Sequence, residues 1–273
     1  MLIRIKKMEI SIKICLLVCV AVMVIDPISV WLQSKVQPNL LSTAGHNPFQ
    51  FWLLINSVNW GNTFYNTLFW IFPALLAEAA YCNEYNSLIY YSKAIKLTRA
   101  RYLKEKIIRL FSFVFAFFSL AFFLNVLVTY MIFYGKNEIT EYYLNLVPKF
   151  GTFSYNIYQI SPFLYAVFYG VMNAVTLGLF SLFCLGVNML KHFRNKYMSI
   201  IVPAAILYVI TFVFDSSADL YRYNIRAIIQ PRASSALSII ITSNDVTITF
   251  LAWIFVITII IAIAYIKNRD IIL

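Results

Sequence analysis

Charge is what this chain has least of. Only 12% of its 273 residues are Asp, Glu, Lys or Arg. Soluble domains carry about 25%, so this chain has too little polar surface to stay in water. Acidic residues are scarcer than basic ones, 11 against 22, for a formal charge of +11. The basic residues sit between apolar runs and form no single patch, which argues against nucleic acid and for the inner face of a membrane. Histidine is nearly absent: His46 and His192 fall in different segments, so neither joins the four cysteines in a metal-ligand set. Cys15, Cys19, Cys82 and Cys184 lie in or beside apolar runs and are expected as buried, unpaired thiols. The few glycines form no Walker-type loop, and HExxH and GxSxG are missing. No catalytic residue, bound cofactor or metal is expected on this chain.

What is present is apolar sequence, 62% of the chain. Its runs match the roughly 20 residues a bilayer core requires. They predict an all-α integral membrane protein, one domain over 1–273, with six transmembrane helices. The spans fall at about 14–32, 62–82, 107–133, 162–190, 197–214 and 246–266. Residues 1–13 mix Arg4, Lys6, Lys7 and Lys13 with apolar residues and read as an interfacial lead-in. Two short apolar stretches, FQFWLLI (49–55) and ASSALSIIITS, cannot cross; the first is expected on the surface. Gly170, Gly178 and Gly186, at eight-residue spacing, allow close helix approach. Asp26, before Pro27, and Glu78, after Pro73, are carboxylates near span ends. Such groups are candidate functional sites by default, and solvation at a span end is the plainer alternative.

Orientation follows from counting. With both termini inside, 16 of the 22 Lys and Arg lie in inner segments and 6 in outer ones, so both termini are expected in the cytoplasm. The most charged inner segment is Asn83 to Lys106, with apolar Leu88, Tyr91, Ile95 and Tyr102 at helical steps. It reads either as a landing surface for another protein or as a basic helix held against anionic lipid headgroups.

Three stretches together resemble the permease subunits of ATP-binding-cassette exporters, of the type-2, six-span kind common in Gram-positive bacteria. The first runs from Pro73 through Glu84, Ser87 and the basic residues to Tyr102 and Lys106, similar to P…E-x-x-x-G…R-x-S-R-x-x-Y-x-x-x-K. The second is residues 160–206, with Pro162-Phe-Leu-Tyr entering the fourth span, the Asn195–Lys196 turn and Pro203 beyond it. The third is the ending KNRDIIL. Ser87 stands where the family has glycine, and Lys96 where it often has arginine.

The resemblance implies that 83–106 is a coupling helix docking on a separate ATPase subunit through Glu84, Ser87, Lys96, Arg99, Tyr102 and Lys106. It implies a dimer with itself or a sister permease in the cytoplasmic membrane, with ATP and Mg held by the ATPase partner. It also implies short re-entrant helices in the last outer loop, at 228–243. The aromatic interior suits a lipophilic, amphipathic or peptide-like cargo. The alternative is a non-transporting scaffold or immunity protein that sequesters a toxic peptide, which would need no ATPase.

Overall fold

The computed structural model describes residues 10–36, 47–55, 59–86, 98–133, 147–193, 195–231 and 239–267, and their side chains except those of residues 10, 11, 34, 83–86 and 99. Among the described residues all regular structure is helical, and five helices are long and apolar enough to cross a membrane. The protein is a multi-pass membrane protein.

The five are α1 (Ile10–Val36), α5 (Arg99–Ile132), α7 (Pro162–Lys191), α8 (Lys196–Asp215) and α11 (Ser243–Lys267). Shorter helices lie between them: α2 (Pro48–Phe51), α3 (Trp60–Leu68), α4 (Ile71–Asn86), α6 (Tyr155–Ile160), α9 (Ala218–Tyr221) and α10 (Ile225–Ile228). Helix starts carry their own caps. Ser161 precedes Pro162 at the first position of α7, and Asn47, Asn59 and Asn195 each accept a backbone N–H at the start of α2, α3 and α8.

The bundle is built around α7, whose apolar window is 72% buried against 11% for α11. It packs on α5, α11 and α4. The glycines make that approach possible: a Cβ on Gly178 would stand 2.8 Å from the Phe111 ring, and one on Gly186 2.7 Å from Ile260. The aromatic run of α5 divides between core and lipid, with Phe118 and Phe122 fully buried and Phe123 exposed.

The structure corrects three expectations. The second span is not one helix: α3 ends at Leu68, α4 begins at Ile71, and Phe69–Trp70 form a turn. FQFWLLI is not on the surface. Phe49, Trp52, Leu53, Leu54 and Ile55 are all buried, because this stretch tucks under α6 and α7, with Phe49 against the rings of Tyr158 and Tyr165. Apolar residues at a bundle end gain more from filling it than from lying on its surface. Asp26 and Glu78 are not solvated either, since both side chains are buried.

The third span begins earlier than its apolar run, since α5 starts at Arg99 and runs 34 residues, about 51 Å at 1.5 Å per residue. Residues 83–86 continue α4 and 99–106 open α5. The middle of the expected coupling helix (87–97), most of the lead-in (1–9), and the ending after Lys267 lie outside the described residues.

Candidate functional site

The site grows from Pro73. As the third residue of α4 it has no N–H to give to Phe69 O, and its ring would crowd that carbonyl in a continuous helix. The Phe69 carbonyl takes the Phe72 N–H instead, at 3.3 Å. The chain turns, and the carbonyls of the last turn of α3 are left without helical donors.

Two side chains from elsewhere supply them. Arg226 Nη2 donates to the Asn66 carbonyl at 2.6 Å, and the Tyr208 hydroxyl donates to the Thr67 carbonyl at 2.5 Å. The Arg226 guanidinium also lies over the Tyr208 ring, 5.1 Å from its centroid. A cation at a helix C-terminus meets the negative end of the helix dipole, so charge and hydrogen bond reinforce each other.

Arg226 reaches this point because α10 dips into the bundle. Asn173 Nδ2 donates to Ile229 O at 2.9 Å, and Asn173 lies roughly 16 Å along α7 from its start. Ile228 and Ile229 are fully buried. The segment that dips into the bundle starts at 225, earlier than the expected re-entrant stretch 228–243, of which 232–238 lie outside the described residues. Asn173 also accepts the Tyr65 hydroxyl, which ties α3 to the same level. Asn224 caps α10 by accepting the Arg226 N–H at 2.9 Å and donates to Asp215 Oδ1 at 2.7 Å. Gln230 Nε2 donates to Asn66 Oδ1 at 2.5 Å.

Beside this clamp is a cavity of about 560 Å³, with Asn66, Arg226 and Gln230 deeper and Asp215 and Ser217 at the rim. The Tyr221 phenol on its wall is pushed up to about 12, by burial first and then by the Asp215 carboxylate, so it stays a hydrogen-bond donor at neutral pH.

Asp26 stands at the other end of α3. Its Oδ1 accepts Asn59 Nδ2 at 2.5 Å, and Gly61 packs directly against it. Asp26 thus meets the start of α3 through the side chain of its N-cap, Asn59. Asp26 Oδ2 is buried without a partner.

The expected partner-facing residues lie at the opposite end of the bundle. On α5, Arg101, Lys104 and Arg109 are exposed, while Tyr102 and Lys106 turn inward. The Lys106 ammonium bonds the Tyr102 hydroxyl and sits 5.2 Å from the Tyr81 ring centroid. The Tyr81 hydroxyl pairs with His192 Nδ1 at 3.1 Å, and His192 closes α7 in a left-handed conformation, φ 48°. Tyr102 and Lys106 thus join the starts and ends of α4, α5 and α7. Buried Glu78 and Cys82 face the same cluster on α4, and Ser199 of α8 lies beside Cys82. Glu84 and Arg99 fall in α4 and α5 with side chains outside those described; Ser87 and Lys96 lie outside the described residues.

Sequence reasoning missed Arg226, Tyr208, Asn66 and Gln230. The available signal was a lone arginine in the apolar run IRAII, downstream of a proline inside a span. Among the described residues no group of three or more His, Cys, Asp or Glu could hold a metal ion. Comparisons with family models, curated proteins and solved structures find no match to this chain.

Proposed function

We propose that the chain is the transmembrane permease subunit of an ATP-binding-cassette exporter. It moves a lipophilic, amphipathic or peptide-like solute out across the cytoplasmic membrane, using ATP hydrolysed by a separate subunit. The observation that carries this reading is the broken segment α3–α4, clamped by Arg226 and Tyr208 beside a polar cavity. Non-helical backbone within a membrane bundle is costly unless protein or a water-filled cavity satisfies it, and transporters place their solute sites at such breaks.

In this reading α3 and α4 together make a sixth span, and the 16-to-6 distribution of Lys and Arg supports both termini in the cytoplasm. The clamp and cavity then face outward, and the Tyr81–Lys106–His192 cluster faces inward. A partner ATPase docking on 83–106 would pull on α4 and the start of α5. Lys106, its ammonium against both the Tyr102 and Tyr81 rings, would carry that pull along α4 to the break. Two permeases, identical or sister chains, would form the path between them.

The test is copurification of an ATPase with the tagged full chain. Glu84→Lys should leave the permease abundant while weakening ATPase recovery about tenfold or more, the size of a lost charge-assisted contact. Lys93→Gln with Lys96→Gln is the contrast, because those residues dominate if the segment only anchors to lipid. Normal ATPase recovery with Glu84→Lys, together with failed insertion of the double lysine variant, would refute the coupling assignment. For orientation, a single cysteine at Ser217 should react with an impermeant maleimide in intact cells and one at Ser92 should not.

A further inference from the structure

We infer that the cavity beside Arg226 binds a short zwitterionic peptide, its carboxylate toward Arg226 and its ammonium toward Asp215. This deepens the export reading by naming the chemistry its outer site recognises.

The argument rests on which groups in the cavity have hydrogen-bonding capacity left. Guanidinium has five N–H donors in a planar fork. One nitrogen of Arg226 is spent on the Asn66 carbonyl, which fixes the fork and leaves further donors at the cavity wall. Asp215 accepts from Asn224 through Oδ1, and a carboxylate has room for several more donors. Asn224 gives its amide N–H to Asp215 and takes the Arg226 backbone N–H, and both charged residues line the same cavity. A ligand carrying both charges satisfies both, whereas a singly charged ligand leaves one unmatched.

The remaining groups favour a peptide over another zwitterion. Gln230 gives its N–H to Asn66, and its carbonyl remains to accept an N–H. The Tyr221 hydroxyl is a donor on the same wall. Peptide units offer both N–H and C=O between their charged ends. An ethanolamine phosphate headgroup has no N–H except its ammonium. Ala218, Ala227 and Ile239 give small apolar surface for side chains, and about 560 Å³ lies within the usual ~300–1,000 Å³ of small-ligand sites.

The experiment uses the purified full chain in phosphatidylcholine nanodiscs without any ATPase, titrated calorimetrically with tri-leucine. Saturable binding is expected, weakened about tenfold or more by amidating the C-terminus or acetylating the N-terminus. Arg226→Gln should make tri-leucine and its amide bind alike. Asp215→Asn, at the exposed rim where folding is least at stake, should erase the preference for the free amine. No saturable binding, indifference to both end caps, or an intact amine preference in Asp215→Asn would each overturn the inference. So would loss of tri-leucine binding when phosphatidylethanolamine replaces part of the phosphatidylcholine, which would make the lipid headgroup the occupant. ATPase recovery and peptide binding are read separately, so failure of either leaves the other standing.

Discussion

Pro27 and Pro73 both fall where the chain would otherwise run on as helix, and the bundle answers them differently. Pro27 lies inside α1, which continues unbroken from Ile10 to Val36. Its missing N–H frees the Met23 carbonyl, which accepts Asn125 Nδ2 from α5 at 2.7 Å. Both Met23 and Asn125 are fully buried, so one lost bond is replaced by one gained bond in a dry interface. At Pro73 α3 separates from α4: Phe69 O takes the Phe72 N–H, and the Asn66 and Thr67 carbonyls at the end of α3 are met by Arg226, from α10, and Tyr208, from α8, beside a cavity. Carbonyls without helical donors are met inside the dry core in one place and beside a polar cavity in the other. What distinguishes a structural break from a candidate site is therefore where the replacement donors come from.

Helix α3 connects the two regions, and the largest effect is expected at its first turn. A Cβ on Gly61 would stand 2.0 Å from Asp26 Oδ1, so Gly61→Val must push α3 away from Asp26, next to Pro27. Overpacking of ~1–3 kcal/mol and loss of the Asn59–Asp26 hydrogen bond, ~0.5–1.5 kcal/mol, predict a cost of about 3 kcal/mol. Monodisperse protein in detergent should largely disappear; a normal melting curve would mean that this contact holds nothing. Next in size is Asn125→Leu, which strands the Met23 carbonyl at a cost of ~1–3 kcal/mol. In a Pro27→Ala background the Ala N–H takes that carbonyl, and the same Asn125 substitution should become nearly neutral. Equal costs in both backgrounds would separate Asn125 from Pro27 and remove one side of the comparison.

The long apolar runs made five crossing helices legible, because uniform hydrophobicity over some 20 residues admits few other structures. Pro73 was visible inside the second span without showing that the helix breaks there, and Gly178 and Gly186 were visible as points of close approach. The repair of the interruption was not legible. Arg226 bonds Asn66 across 160 positions of sequence, and Asn59 bonds Asp26 across 33. No local pattern encodes such distances. Residues 49–55 illustrate the same limit: a short apolar stretch fits a surface or a bundle end equally well until its neighbours are placed. Residues 215–231, with their Asp and Arg, read as an outer loop, although Asn173 meets Ile229 deep along α7.

The smallest effects sharpen the comparison at the second proline. Tyr208→Phe removes one donor from the Thr67 carbonyl and should cost about 1 kcal/mol, read as a shift in the detergent melting curve. Pro73→Ala should cost less still, within ~0.5 kcal/mol. At the third position of a helix the N–H has no obligatory partner, and Phe69 O is already held by the Phe72 N–H. The break should therefore survive removal of the proline as long as Arg226 and Tyr208 hold the end of α3. Spin labels at Thr63 and Ala79, one on each side of the turn, read this directly. Their distance distribution should be unchanged by Pro73→Ala and should shift toward that of a continuous helix only when Arg226→Gln and Tyr208→Phe are added. If Pro73→Ala alone straightens the segment, the proline makes the break and the clamp merely follows it. The contrast with Pro27 would then lie in the position of the proline within its helix, and no longer in the source of the donors.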